Sequence, residues 1–372
     1  MKQLIHPQFD PWEPYSDIQT AGQMKLSNVE FTTTTLCNMR CEHCAVGYTL
    51  QTKDPEALPL ELILRRLDEV PDLRALSITG GEPMLSKSSV RNYVLPLLKY
   101  AHERDVYTQL NSNLTIELSR YEEITPYLDV LHISHNWGTI EEFVETGFAN
   151  MERKPTIAQR EALFQRMIDN SKALSKMGVI VSAETMLNKK TLPYLEKIHR
   201  EIVDDMGCAR HEIHPMYPSD FASALESLSL QEMRKAIHHL LDVRDPNIWM
   251  LFGTLPFYSC SQKEEDQQLL KRLRNENMVT VRNDPDGRSR LNVNIFNGDI
   301  IVTDFGDAPP LGNIQTNTLE EAYRAWMNSS IASELNCHCP SVQCLGPNIL
   351  VKHTYYEQED FTTKKAETSS LS

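Results

Sequence analysis

The chain has 372 residues, of which 41% are hydrophobic and 24% are charged, and its formal net charge at pH 7 is -14. This is the balance of a globular protein that can bury a large core. The acidic charge disfavours binding to a phosphate backbone, which depends on Lys and Arg displacing counterions. No apolar run reaches the roughly 18 residues that cross a membrane, and the N-terminus has no signal-like segment. We therefore expect a cytoplasmic protein without nucleic-acid or membrane partners.

An N-terminal arm (residues 1–26) precedes a core (residues 27–220) in which β-rich runs alternate with helical patterns. This alternation predicts β/α units around a parallel sheet. The six β-rich runs are NVEFTTTTL from Asn28, ALSITGGEP from Ala75, VYTQLNSN from Val106, VLHISHNW from Val130, VIVSAETML from Val179 and HEIHPMYP from His211. In the segment LELILRRLDEV, Leu60, Leu64 and Leu67 share one helical face. We predict an α/β fold, a partial (β/α)6 barrel of the TIM type, with polar strand ends grouped at one mouth.

The pattern changes after Pro218, and we predict a domain boundary near residue 220. Residues 221–350 contain a helical segment (LQEMRKAIHHLLDV), an aromatic patch that ends at Cys260 and a hairpin-like run (FNGDIIV). Residues 351–372 are too poor in apolar residues to form a core, which predicts a disordered polar tail.

The motif CNMRCEHC places three cysteines within eight residues, directly after the first β-rich run. They are Cys37, Cys41 and Cys44. In a reducing compartment such closely spaced thiols are better read as metal ligands than as disulfides. A 4Fe-4S cluster with only three thiolate ligands leaves one iron open to a small molecule that offers an amine and a carboxylate. The alternative is a zinc knuckle, which needs a fourth ligand, and His43 is the neighbouring candidate.

This motif, placed after a first strand, resembles the cluster loop of the radical S-adenosylmethionine (SAM) superfamily. Gly80, Gly81, Glu82 and Pro83 form GGEP at the end of the second run, similar to the family motif that holds the methionine amino group of SAM. The resemblance implies that the three cysteines hold three irons and that the fourth iron chelates SAM. One electron then cleaves SAM to methionine and a 5′-deoxyadenosyl radical, which abstracts hydrogen from a substrate.

Polar residues at the ends of the later runs are candidates for contacts to the cofactor. Ser112 and Asn113 resemble a family Thr-Asn-Gly, and Ser134 with Asn136 resembles a Ser-x-Asp. In the fifth run, Ser182, Glu184 and Thr185 resemble the polar run of peptide-acting members. The alternative for each is a hydrogen-bonded strand end.

A second group of cysteines lies near the C-terminus and comprises Cys337, Cys339 and Cys344, with Cys260 as a further candidate. The preceding run PPLGNIQTNTLEEAYRAW resembles the segment that leads into SPASM or Twitch extensions, and the whole chain resembles YfkAB-type radical SAM proteins with a CxCxxxxC motif. This resemblance implies that residues 221–350 form a linker helix and a SPASM/Twitch-like domain, a small C-terminal extension whose cysteines hold an auxiliary iron-sulfur cluster. Thr303 stands where the family pattern has a cysteine, so we expect one such cluster rather than two. Structural zinc, with Cys260 or His338 as fourth ligand, is the alternative.

The resemblance also implies a low-potential electron donor such as flavodoxin or ferredoxin, and a peptide or protein as substrate. A small metabolite or cofactor precursor is an alternative substrate. A non-catalytic iron-sulfur or zinc redox sensor is a second alternative, although it would need neither GGEP nor six β/α units. The segment GTIEEFVETGFANMERKPT, after the fourth run, is interpreted as a lid or as a plain connector.

Overall fold

The structure, a computed structural model, describes residues 2–216, 218–303, 308–335, 337, 339 and 343–362. Its strands are β1 (Asn28–Thr32), β2 (Ala75–Thr79), β3 (Tyr107–Ser112), β4 (Val130–Ser134), β5 (Ile180–Leu187), β6 (Arg210–Pro215), β7 (Trp249–Gly253), β8 (Val279–Arg282), β9 (Arg290–Asn294), β10 (Asp299–Ile301) and β11 (Gly312–Asn313). Its α-helices are α1 (Tyr15–Ala21), α2 (Leu60–Asp68), α3 (Lys87–Ser89), α4 (Leu95–His102), α5 (Leu118–Glu122), α6 (Ile140–Thr146), α7 (Ile157–Lys176), α8 (Leu195–Arg200), α9 (Leu230–Val243), α10 (Glu264–Asn275), α11 (Leu319–Met327), α12 (Ser330–Leu335) and α13 (Ile349–Tyr355).

These strands form a single sheet with the order β11-β10-β9-β1-β2-β3-β4-β5-β6-β7-β8. Every neighbouring pair from β1 to β8 is parallel. The six predicted runs form β1 to β6 in the predicted order, which confirms the α/β architecture with a parallel sheet. Because parallel strands end at the same edge of a sheet, the loops after β1 to β6 open on the same side.

The other edge of the sheet is built by residues that come late in the chain. The predicted FNGDIIV hairpin joins β9 to β10, with Val293 opposite Ile300 in antiparallel pairing. Gly298, at a φ of 80°, makes the left-handed turn between them. In addition, β9 lies parallel to β1, with Arg290 opposite Asn28, a pairing that no local pattern predicts.

The helices bury one face against this sheet, as their sequence pattern predicts. In α2, Ile63 and Leu67 are buried, while Leu60 and Leu64 pack at the margin of the same core. Each such helix therefore contributes an apolar stripe to the core and leaves its charged residues in solvent.

The N-terminal arm covers the amino-terminal ends of the central strands. Trp12 packs with Tyr107 and Val130 at the starts of β3 and β4, and its indole N–H donates to Ser77 Oγ at 3.0 Å. Asp17, in α1, forms an ion pair with Arg74, just before β2. The arm thus closes the side of the sheet opposite the mouth.

One prediction about the domains needs correction, and the boundary near residue 220 stays a prediction. The sheet itself continues past residue 220, because β7, β8 and β9 follow it and pair with core strands. The predicted polar tail is wrong for residues 351–362: they begin within α13, and Val351 and Phe361 are buried beside Tyr258. A few well-spaced apolar residues are enough to anchor this segment. Residues 363–372 lie outside the described residues. Among those described, no helix combines the length and apolar character needed to cross a membrane.

Candidate active site and cysteine centres

Cys37, Cys41 and Cys44 lie on the loop that follows β1, at the mouth, and all three are free thiols that are partly buried. The loop is ordered by its own hydrogen bonds. The Arg40 guanidinium donates to the carbonyls of Cys37 and Met39 at 2.9 and 2.8 Å, and the Met39 amide points at Cys37 Sγ at 3.4 Å. The thiols are therefore presented on a short folded loop rather than on a free one.

The segment interpreted as a lid or connector supports this loop. The amides of Arg40 and Glu42 donate to the carbonyls of Gly147 and Thr146 at 3.1 and 2.8 Å, and the Asn150 amide donates to the Arg40 carbonyl at 3.1 Å. A Cβ on Gly147 would lie 2.6 Å from the terminal methyl of Met39. The segment after β4 thus forms a backbone clamp on the cysteine loop.

The environment of the three thiols fits a group that carries positive charge. Burial raises the pKa of Cys37 to about 12, with Glu82 and Cys44 adding to the rise. Burial and the two neighbouring thiols raise the pKa of Cys41 well above its ordinary value. Thiolates this close repel one another unless a metal centre compensates their charge. A three-thiolate donor set of this kind fits an iron-sulfur cluster.

The GGEP motif packs directly on the residues that lead into the cysteine loop. The Gly81 amide donates to the Thr34 carbonyl at 2.9 Å, and the Glu82 amide donates to the Leu36 carbonyl at 2.7 Å. A Cβ on Gly80 would lie 2.4 Å from the Thr34 oxygen, and one on Gly81 would lie 2.2 Å from the Leu36 oxygen. The glycines are therefore required by this contact between two segments of backbone.

Glu82 links the ends of β2 and β3, and its side chain is fully buried, with Pro83 also buried beside it. The carboxylate accepts from Ser112 Oγ at 2.9 and 3.1 Å, from the Asn113 amide at 2.7 Å and from the Met84 amide at 3.0 Å. Burial raises its pKa to about 7, although these donors oppose the rise. Glu82 therefore holds the motif in place, and its contact to a cofactor stays a prediction.

The remaining predicted cofactor residues lie in different settings. The Asn113 side chain donates to Asn38 in the cysteine loop at 2.9 Å, while the Ser112 hydroxyl contacts Glu82 and Tyr121. Ser134 is exposed at the end of β4.

Ser182, in contrast, is completely buried. Its hydroxyl donates to Glu212 and accepts from Arg210, both at 2.8 Å. Ser182 therefore exposes no surface with which it could make the predicted contact to the cofactor.

A buried ionic network that links β4, β5, β6 and β8 was not predicted. His132 on β4 lies 2.9 Å from Glu184 on β5 and 3.4 Å from Glu212 on β6, and Glu212 also pairs with Arg210 and Arg282. Burial lowers the pKa of His132, but the two carboxylates outweigh it and raise the pKa to about 9. A sequence signal existed: Ser182 and Glu184, like Glu212 and His214, alternate by two along a strand and so share one face.

The C-terminal cysteines form a second centre. Cys260, Cys337, Cys339 and Cys344 line one small cavity together with Tyr258 and Phe361. Cys339 and Cys344 exchange two backbone hydrogen bonds at 2.9 and 3.2 Å.

Burial, with contributions from the other thiols, raises the pKa of Cys337 to about 12 and that of Cys344 to about 11. His338, the alternative zinc ligand, lies outside the described residues. In the part of the chain that the structure describes, no group of three or more His, Cys, Asp or Glu residues is arranged to hold a single metal ion.

Comparison with known proteins places the chain in a class and then in a family. The model of the radical SAM superfamily matches residues 31–202, and that of the YfkB-like domain matches residues 216–366. The fold and the cysteine loop are thus those of a radical SAM protein. The chain is also 70% identical over 362 residues to protein YfkA of Bacillus subtilis (strain 168), which covers 97% of both chains. The chain belongs to the radical SAM superfamily and, within it, to the family of YfkA. The family resemblance inferred from the sequence is confirmed.

Solved structures agree on the fold. SuiB of Streptococcus suis, determined with bound SAM, matches with a TM-score of 0.60 at 15% identity, over 92% of this chain and 78% of SuiB. The protein anSMEcpe, determined with SAM and the Cp18Cys peptide, matches with a TM-score of 0.56 at 14% identity, over 93% of this chain and 99% of anSMEcpe. Membership of the superfamily implies a 4Fe-4S cluster and SAM as cofactors.

Proposed function

We propose that this protein is a radical SAM enzyme that cleaves SAM reductively and abstracts a hydrogen atom from a peptide or protein. The observation that carries the proposal is the loop after β1, where three free, partly buried thiols share one short segment against the GGEP motif. Cys37, Cys41 and Cys44 would hold the cluster. When bound, the cluster supplies the electron that cleaves SAM to methionine and a 5′-deoxyadenosyl radical.

The protein's own residues hold the cysteine loop and the GGEP motif in position. Gly81 and Glu82 fasten the strand-end motif to the carbonyls beside the cysteine loop, and the Glu82 carboxylate fastens it to Ser112 and Asn113. The clamp at Thr146 and Gly147 holds the other side of the loop. This rigidity matters because a reactive radical must meet one substrate atom and be kept from water and stray donors.

We further propose that Cys260, Cys337, Cys339 and Cys344 hold one auxiliary iron-sulfur cluster. The support for this proposal is that four cysteines from two distant parts of the chain line the same small pocket. The aromatic rings of Tyr258, Tyr356 and Phe361 pack against one another beside it. A low-potential donor such as flavodoxin or ferredoxin would deliver electrons.

The peptide substrate is supported by proteins of the same fold. SuiB has been determined with its precursor peptide SuiA, with a TM-score of 0.58 to this chain, and anSMEcpe with the Cp18Cys peptide. Both are below 15% identity to this chain, so the substrate must be tested directly.

The cofactor proposal is tested by measuring iron, zinc and acid-labile sulfide per chain after anaerobic reconstitution. We expect about eight irons in the wild type and about four in each of two variants, C37A/C41A/C44A and C337S/C339S/C344S. Only the first variant should lose dithionite-dependent formation of 5′-deoxyadenosine. Cys208→Ala is the matched control for loss of a buried thiol elsewhere. A wild type that binds no iron would overturn the proposal, and zinc lost with the C-terminal cysteines would overturn the auxiliary cluster.

The substrate class is tested with isotope transfer. Extract from cells grown in D2O is separated into a peptide fraction and a small-molecule fraction, and each is incubated with reconstituted enzyme, reductant and SAM. Hydrogen abstraction from a labelled substrate places deuterium in 5′-deoxyadenosine, which mass spectrometry detects. We expect deuterium with the peptide fraction. Deuterium only with the small-molecule fraction would show that the substrate is a metabolite.

A further inference from the structure

Asp54, in the loop between the cysteine motif and α2, is half-buried against the residues that connect β1 to the cysteines. Its carboxylate accepts four close contacts. Thr34 Oγ1 lies 2.9 and 2.8 Å from the two oxygens, and the amide and hydroxyl of Thr35 lie 2.7 and 2.9 Å from Oδ1. The run of threonines before Cys37 is thus tied to a single acidic side chain.

These contacts determine which groups donate and which accept in the hydrogen bonds that link Asp54, Thr34 and Leu36. A carboxylate oxygen accepts hydrogen bonds, so the Thr34 hydroxyl is the donor in its contact with Asp54. The lone pairs of that hydroxyl then accept from the Leu36 amide, at 3.1 Å. Leu36 directly precedes Cys37, so Asp54 orients the backbone at the first cysteine through one intervening side chain.

The same residues carry the GGEP motif. The carbonyls of Thr34 and Leu36 accept from the amides of Gly81 and Glu82. A Cβ at Gly80 or Gly81 would collide with these carbonyl oxygens. We propose that Asp54 is a positioning residue for the cofactor site, because it fixes the backbone on which both the first cysteine and the SAM-binding motif rest. The role in SAM binding rests on the proposed function, whereas the role in backbone order does not.

Asp54→Asn tests this role with little change of shape. An amide offers one acceptor oxygen and places N–H donors where the second oxygen stood, so the Thr34 hydroxyl and the Thr35 groups cannot all be satisfied. Glu56→Gln is the matched control, since it removes the same charge from an exposed position in the same loop. Asp54→Glu keeps the carboxylate and tests for rescue.

The first measurement is amide hydrogen exchange on the chain without added cofactors. We expect the amides of Leu36, Gly81 and Glu82 to exchange about tenfold faster or more in Asp54→Asn, and at the wild-type rate in Glu56→Gln. Thr34→Val breaks the same Thr34–Asp54 contact and also removes the acceptor of the Leu36 amide, so it should speed exchange at Leu36 as well. Because the two substitutions share that contact, their effects on exchange at Leu36 should not add in the double variant. Equal protection in Asp54→Asn and Glu56→Gln would overturn the proposal.

The second measurement is the KM of the reconstituted protein for SAM, determined together with kcat. We expect Asp54→Asn to raise the SAM KM about tenfold or more, with a smaller effect on kcat and normal iron content, and Asp54→Glu to recover most of the loss. An unchanged KM would overturn the role in SAM binding. If instead the wild type binds no SAM, the proposed function fails while the exchange result still decides the role of Asp54.

Discussion

At the scale of single residues, the glycines of GGEP show how a motif can be required by the chain itself. The carbonyl oxygens of Thr34 and Leu36 occupy the positions that a side chain at Gly80 or Gly81 would need. Gly80 also adopts a φ of 142°, which side-chain-bearing residues rarely reach. The motif is therefore an intramolecular docking element, whatever it binds.

We predict that Gly81→Ala reduces both stability and iron content. Its Cβ would lie 2.2 Å from the Leu36 oxygen, so the backbone before Cys37 must move. Such overpacking costs about 1–3 kcal/mol. Urea unfolding and iron per chain after reconstitution measure the two effects.

Gly178→Ala is the matched control for this substitution. It is strained at a φ of 91° but meets no atom within 4 Å, so it should lose stability and keep its iron. Normal iron content in Gly81→Ala would show that the contact with Leu36 does not order the cysteine loop.

At the scale of elements, β4, β5, β6 and β8 are joined by buried charged side chains as well as by the backbone hydrogen bonds of the sheet. Glu212 on β6 contacts Arg210 on the same strand and Arg282 on β8, and both ring nitrogens of His132 on β4 face carboxylates. Burial opposes the ionisation of Glu212, but Arg210 and Arg282 hold its pKa well below the usual range. The network is stable only as a complete set of partners.

We predict that Glu212→Gln lowers the free energy of unfolding by about 3–5 kcal/mol, because it leaves buried positive charges without compensation. Denaturant unfolding of the two proteins side by side measures the change. Glu196→Gln is the control: it breaks an exposed Arg200–Glu196 pair, which should cost at most about 1 kcal/mol. Comparable losses in both variants would contradict a special role for the buried network.

At the scale of the whole molecule, the N-terminal arm ties distant strands together. Asp10 forms an ion pair with Arg282 on β8 at 2.7 Å, and Trp12 donates to Ser77 on β2. Between them and α1 lies Glu13, whose pKa is raised to about 8, chiefly by burial and also by Asp10. The arm therefore couples the packing of the molecule to pH.

The sign of this coupling follows from the raised pKa. An unfolded Glu13 ionises near its ordinary value of 4.5, whereas the folded one keeps its proton to about pH 8. Between these values the folded state binds more protons, so the contribution of Glu13 to the free energy of unfolding falls as pH rises and levels off above about pH 8.

We predict that Glu13→Gln reduces the loss of stability between about pH 5.5 and about pH 7.5, since glutamine does not ionise and can still accept from the Tyr15 amide. Urea unfolding at both pH values measures the slope. Glu56→Gln, at an exposed site, should keep the wild-type slope. The same slope in Glu13→Gln as in wild type would contradict a protonated Glu13 in the folded protein.

The sequence by itself determined the local features of this protein. The β-rich runs that alternate with helical segments predicted β1 to β6 in their correct order. The spacing of Cys37, Cys41 and Cys44, together with GGEP, identified the superfamily. These signals lie within segments of fewer than about ten residues, where side-chain period and ligand spacing are read directly. The grouping of Cys260 with the C-terminal cysteines was also predicted, and the structure places the four around one cavity.

Only the tertiary structure decided the contacts between segments far apart in the chain. It placed β9 beside β1, set Asp54 under Thr34, and joined His132, Glu184 and Glu212 inside the sheet. It also buried Ser182, which was a candidate for contact with the cofactor, and Phe361, which lies in the segment predicted to be a polar tail. Such contacts leave no periodic trace in the sequence, because each depends on which distant segments the complete fold brings together.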